Sequence, residues 1–210
     1  LCPTRRFGTA PDEPFMIVVV DYGMGNLHSV AKAFEAIGGS VLISGKPEDL
    51  RRAERIVLPG VGAFADGIKN LGKAGLIDVL KDEAAKGKPL LGICLGMQML
   101  AQEGSENGIH QGLGLIEGRV TALKPADAQL KIPHMGWNNI APAEGSKLFF
   151  KGMSASPTFY FAHTYYMECA RPETVAATCD YGGVFTAAIQ ARNIFATQFH
   201  PEKSQQNGLR

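Results

Sequence analysis

The chain has 210 residues, 45% hydrophobic and 20% charged, with a formal net charge of +1. That length suits one domain or a compact pair with a substantial core, and the near-neutral balance supplies no basic field for nucleic acid or an anionic membrane surface. Apolar runs such as Met16 to Val20 are too short to span a bilayer. Residues 1–15 mix Arg5, Arg6, three prolines and two acids without the apolar run of a signal peptide. They read as a mobile, non-catalytic extension, and residues 16–210 as a single domain.

Met16 opens a strand-like run to Val20. Leu27, Val30, Phe34 and Ile37 then recur at helical spacing, with Asn26 placed to cap the start and Gly38 to end it. Residues 41–44 and 55–58 read as short strands. Leu76, Val79 and Leu80 mark a helix towards Gly87, residues 89–93 a further strand, and residues 96–103 a helix-compatible run. This β-α-β-α rhythm predicts an α/β fold, a mostly parallel, flavodoxin-like sheet with helices on both faces. From about Gly112 the strand signals crowd together, at 113–123, 134–140, 158–164, 175–179 and 184–190. They predict an antiparallel extension of the same core, and residues 193–199 read as a buried strand.

The chemistry concentrates at two points. Gly92-Ile93-Cys94-Leu95-Gly96 places a nucleophile-type residue between glycines, after a strand and before a helix. That pattern suits a strained elbow presenting its side chain at the carboxyl edge of a sheet, at a helix N-terminus that favours thiolate. Taken alone, it fits a buried structural cysteine equally well. His200 lies 106 residues downstream, where Pro201 restricts it to an extended conformation, and Glu202 follows. The His-x-Glu spacing lets the carboxylate fold back on the imidazole, fix its tautomer and leave the other ring nitrogen facing the sulfur. His28, His110, His134 and His163 have no acid so placed, and no two have zinc-ligand spacing. The cysteines at 2, 94, 169 and 179 form no Cys-x-x-Cys pattern; a Cys169–Cys179 pairing is one option, reduced thiols in a cytoplasmic protein the other. Leu58-Pro-Gly-Val61-Gly62 ends a strand in a loop able to aim a backbone N–H at an oxyanion, and Gln98 lies one helical turn beyond Cys94.

Gly92-Ile-Cys-Leu-Gly-Met-Gln98 with the distant Phe199-His-Pro-Glu202 resembles the class I, or triad, glutamine amidotransferases. Asp21-Tyr-Gly-Met-Gly-Asn26, Leu58-Pro-Gly-Val-Gly-Ala-Phe64, Pro133-His-Met-Gly-Trp-Asn138 and Gln198-Phe-His-Pro-Glu-Lys-Ser204 narrow the resemblance to the glutaminase subunits of imidazole glycerol phosphate synthase, from about Met16 onward. The resemblance implies glutamine as substrate and Cys94, His200 and Glu202 as the triad. It implies an oxyanion hole from Val61, Gly62 and Leu95, and substrate contacts from Gln98, Glu106 (to the α-ammonium), Thr164 and Tyr165 (to the α-carboxylate). It implies a (β/α)₈ cyclase partner near Asn26, Trp137 and Lys203, no metal and no organic cofactor. It also implies a short helix beyond Arg210.

Two alternatives remain open at this stage. One is a glutaminase for anthranilate, purine, pyridoxal or guanylate synthesis. The other is a non-catalytic nucleotide-binding module built on the Asp21 loop, though His28 stands where Gly-x-Gly-x-x-Gly requires its third glycine.

Overall fold

The computed structural model describes residues 16–144 and 149–210; the extension read at 1–15 lies outside them. The parallel half is built from β1 (Met16–Val20), α1 (Leu27–Ala36), β2 (Ser40–Ser44), α2 (Pro47–Arg52), β3 (Arg55–Gly60), α3 (Phe64–Lys73), α4 (Ile77–Ala85), β4 (Leu90–Cys94) and α5 (Leu95–Met99). Then come β5 (Glu103–Gly104), β6 (His110–Gln111), β7 (Gly118–Ala122), β8 (His134–Pro142), β9 (Thr158–His163), β10 (Tyr165–Cys169), β11 (Val175–Asp180), β12 (Val184–Ala191), β13 (Ile194–Thr197) and α6 (Gln205–Gly208).

Among the described residues the main sheet runs β2-β1-β3-β4-β13-β12-β11-β8-β9. Its first five strands are parallel, in the 2-1-3-4-5 order of flavodoxin-like sheets, with β13 supplying the fifth position from far along the chain. The remaining four are antiparallel and continue the same sheet. β10-β7-β5-β6 form a second, smaller sheet.

Side chains of β1 alternate between two cores, as a period of two demands. Ile17 and Val19 pack with Val57, Ile93 and Val30 of α1. Val18 and Val20 pack with Leu58 and with Leu50, Leu71, Leu80 and Leu95 from α2, α3, α4 and α5. Helices therefore cover both faces. A third cluster, rich in Phe159, Phe161, Phe185 and Phe199, fills the antiparallel half.

Four local expectations need correction. Asn26 occupies the cap position of α1, but its side chain makes no capping bond; only its carbonyl accepts the Val30 N–H, at 3.2 Å. The helix after Cys94 stops at Met99, and Glu103 and Gly104 pair as β5 instead. The strand read at 113–123 shrinks to β7. Gly114 takes φ +65°, and the N–H groups of Leu113, Leu115 and Ile116 bond carbonyls at the end of α5. Apolar residues there fill the core as coil, which periodicity alone does not separate from strand. The strand read at 193–199 ends at Thr197, and residues 198–200 leave the sheet.

Candidate active site

β4 passes into α5 without a loop, and Cys94 at the junction takes φ 54° and ψ −108°. A positive φ is costly for a residue with a Cβ, so surrounding packing must impose it. Gly96 and Gly92 make that packing possible: a Cβ on Gly96 would collide with the Leu58 carbonyl oxygen, and one on Gly92 would stand 2.9 Å from the Met97 nitrogen. The thiol is thereby held at the carboxyl edge of the sheet. Leu95 opens α5, so its N–H has no acceptor within the helix.

Sheet register brings the other parts to that edge. Gly60 lies opposite Cys94 across β3 and β4, and Thr197 lies opposite Ile93 across β13 and β4. Beyond β13 the chain is clamped to β9. The His200 N–H donates to the Tyr160 carbonyl at 2.9 Å. Ser204 Oγ donates to the His200 carbonyl at 2.6 Å and accepts the Tyr160 N–H at 3.0 Å.

The imidazole then has one geometry. Nδ1 donates to Glu202 Oε1 at 2.8 Å, with both side chains buried. That tautomer leaves Nε2 as the ring nitrogen not committed to Glu202, and Cys94 is close enough to act on the ring's protonation. Burial alone would lower the His200 pKa. The hydrogen bonds to Cys94 and Glu202, and the charges behind them, outweigh it and raise the value to about 9. At neutral pH the buried ring is thus an imidazolium beside the sulfur.

A cavity of about 300 Å³ opens over this pair. The first half of the chain contributes Val61, Gly62, Cys94, Leu95, Gln98 and Glu106 to its wall; the second half contributes Met135, His163, Thr164, Tyr165, His200 and Lys203. All of the triad, oxyanion and substrate residues inferred from sequence border this cavity except Glu202, which lies behind His200. Gly62 has φ +101°, and Val61 is exposed. Glu106 Oε2 accepts the N–H of Phe64 at 2.8 Å, so the carboxylate also anchors the start of α3 just after the Val61–Gly62 loop. Gln98 spends both amide protons on the protein, on the Tyr165 carbonyl at 2.8 Å and Gln198 Oε1 at 3.1 Å, leaving only its own carbonyl for a ligand. A separate apolar cleft of about 220 Å³, between Phe34, Phe149, Phe159 and Leu209, reaches Glu202 rather than Cys94.

The three residues expected at a partner surface are exposed. Trp137 is 49% exposed and stands edge-on to Tyr160, centroids 6.0 Å apart; Lys203 Nζ lies 5.9 Å from the centre of the same ring. Asn26 lies in the loop after β1, which meets the Pro59–Gly62 segment through Met24 and Gly25. Asp21 of that loop spends its Oδ1 on the Gly23 N–H at 3.0 Å.

Sequence reasoning missed several polar residues here. Ser204 clamps His200, and Gln198 Nε2 points at Cys94 Sγ, 3.7 Å away. His134 and His163 are buried and joined, Nδ1 to Nε2, at 3.0 Å, and His163 Nδ1 bonds the Tyr165 carbonyl at 2.9 Å. Burial lowers both their pKa values to about 4, so the pair is neutral. The His-Met-Gly-Trp-Asn and His-Thr-Tyr-Tyr segments name these histidines, but only cross-strand register pairs them, His134 opposite His163. Cys169 and Cys179 are free thiols, with burial raising the pKa of each, that of Cys179 to about 12. Among the described residues no three His, Cys, Asp or Glu side chains converge as metal ligands would, and no helix is long and apolar enough to cross a membrane.

Comparison with known proteins places these features in a group. Residues 18–208 match the family model described as glutamine amidotransferase class-I. The chain is 50% identical over 196 residues to the imidazole glycerol phosphate synthase subunit HisH of Rhodopirellula baltica, covering 93% of this chain and 94% of that one. It is 45% identical over 197 residues to subunit HisH of Bacillus subtilis, covering 92% of each. Among solved structures, a glutamine amidotransferase superposes with a TM-score of 0.70 at 20% identity, covering 92% of this chain and 94% of that one. PurLQS from Thermotoga maritima superposes with 0.68 at 21%, covering 90% and 88%.

Proposed function

The chain belongs to the class I glutamine amidotransferases, within them to the HisH subunits of imidazole glycerol phosphate synthase, and from that membership we propose how its residues carry out glutamine hydrolysis for histidine biosynthesis. The observation that carries the reading is the buried Cys94–His200–Glu202 alignment under the cavity.

Glutamine enters with its side-chain amide over Cys94, its ammonium towards Glu106 and its carboxylate towards the Thr164–Tyr165 backbone. The Cys94 proton resides on His200 Nε2, and the thiolate attacks the amide carbon. The carbonyl π pair moves onto oxygen, and the N–H groups of the Val61–Gly62 loop and Leu95 receive the oxyanion. Loss of one such donor costs roughly 3–4 kcal/mol of barrier. Collapse re-forms the carbonyl and breaks the C–N bond, with the His200 proton leaving on ammonia. Water then adds to the thioester as His200 takes its proton. A second collapse releases glutamate and the thiolate. Glu202 keeps the imidazole in register and stabilises its charge throughout.

Ammonia is useful only where another centre consumes it. We assign that centre to a separate cyclase subunit docking on the face around Trp137, Lys203 and Asn26, where an exposed aromatic beside a cation suits a protein contact. The free Cys94, Cys169 and Cys179 thiols suit a reducing cytoplasm. The test is glutamate release by the purified chain with and without the cyclase and its phosphoribosyl substrate. A large stimulation is expected from that pair; full activity alone, or stimulation by a different synthase instead, overturns the assignment.

A further inference from the structure

We infer that Gln198 is a further catalytic residue, its side-chain amide donating a hydrogen bond to the reacting sulfur and holding Cys94 as the thiolate. The inference rests on the glutaminase reading.

Gln198 is 0% exposed, and its backbone N–H is tied to the Ala187 carbonyl at 2.9 Å. A fully buried carboxamide needs partners at both ends. Its Nε2 lies 3.7 Å from Cys94 Sγ and its Oε1 3.1 Å from Gln98 Nε2. Reversing the amide would set two NH₂ groups face to face and leave Oε1 against the sulfur, so only one orientation satisfies both contacts. Gln98 cannot turn to accommodate the reversal, because its other proton is on the Tyr165 carbonyl at 2.8 Å.

That carbonyl is itself fixed. It accepts from His163 Nδ1 at 2.9 Å, which makes His163 Nε2 the acceptor for His134 Nδ1 at 3.0 Å; His134 Nε2 in turn faces Asn138 Nδ2 at 3.5 Å. Two lines of donors therefore meet at Tyr165, and the second, through Gln98 and Gln198, ends at the sulfur.

The protonation states of Cys94 use different partners. As a thiol, Sγ donates towards the Ala162 carbonyl at 3.9 Å. As a thiolate, with the proton on His200, it accepts from Gln198. A buried donor aimed at an anion favours the anion. The other titratable groups facing the sulfur are His200 and Tyr22, whose phenol donates to the Pro59 carbonyl at 2.8 Å, with Glu106 and Lys203 on the same cavity wall. Each of these either carries charge or is committed elsewhere, whereas Gln198 offers a neutral donor in fixed position. It serves both halves of the reaction, since thiolate is the attacking group in the first and the leaving group in the second.

The test is the rate of Cys94 alkylation by iodoacetamide against pH, read by mass spectrometry of the Cys94 peptide in the full chain without glutamine. Gln198→Met, close in shape but without the donor, is expected to move the midpoint up by about one to two pH units. Gln198→Glu, which keeps the acceptor for Gln98 and turns a carboxylate oxygen to the sulfur, is expected to move it further. The kcat for glutamine is expected to fall about tenfold or more, with KM changed less than about twofold. Profiles coincident with the unsubstituted chain overturn the inference. If Gln198→Met fails to give a cooperative melt, the Gln198→Glu profile decides alone. A chain that hydrolyses no glutamine with any synthase would sink the glutaminase reading without touching the alkylation result, so the two failures are distinct.

Discussion

His200 is the residue on which the pH behaviour turns. Its pKa of about 9 means the imidazolium persists through neutrality, and departure of ammonia needs that proton. The glutaminase kcat should therefore fall on the alkaline side with a midpoint near 9. Glu202→Gln removes the carboxylate's charge while keeping its size. It should shift that limb to lower pH and reduce kcat roughly 100-fold or more, as a pH–rate series on both proteins would show. An unmoved limb would separate Glu202 from the imidazole's protonation.

At the scale of elements, the junction of β4 with α5 is held by the absence of side chains. Gly96→Ala drives a methyl into the Leu58 carbonyl of β3, and neither neighbouring backbone can withdraw without unpairing the sheet. The expected loss is about 3 kcal/mol or more, read as a denaturant midpoint, with glutaminase activity lost even where the variant folds. The facing strands β8 and β9 make a different prediction. Their buried His134–His163 pair is neutral in the fold, with pKa values near 4 against about 6.5 in the unfolded chain. Between those values the unfolded state binds more protons, so stability is fully present above about pH 6.5 and is lost as pH falls towards 4. With two such shifts the loss should be on the order of 6 kcal/mol, and His134→Phe, which leaves His163 in place, should roughly halve it in urea melts run across that range. An unchanged acid slope would place the protonating group elsewhere.

For the whole molecule, the proposed exit of ammonia makes the surface over the cavity part of the machinery. Trp137→Ala should weaken stimulation by the cyclase about tenfold or more in the concentration required, while basal glutamine hydrolysis by the chain alone stays unchanged. Equal stimulation at equal cyclase concentration would move the docking face elsewhere. Much of this architecture is legible in the chain because its physics is local. The unbroken apolar run of residues 16–20 reports a strand covered on both sides, and the glycines around Cys94 report a crowded junction. Other parts are not local. α3 hides behind Gly67 and Gly72, which lower its helix propensity; Gly67 is needed because a Cβ there would stand 2.6 Å from Met99 Sδ. In the small sheet β5 pairs β6 and β7 over two residues each, too short for any period to be detected, while only β7 and β10 pair over five. Gln198 carries no titratable group, so nothing in its type distinguishes it until the chain brings it against the sulfur.

The most direct measurement is acid-quenched intact-mass analysis of the chain mixed with glutamine, cyclase and the cyclase's substrate. A glutamyl increment mapping to Cys94, absent from Cys94→Ala although that variant melts like the parent, is the result expected of a sulfur activated by His200. Undiminished glutamate release by Cys94→Ala, or an increment on another residue, would contradict it.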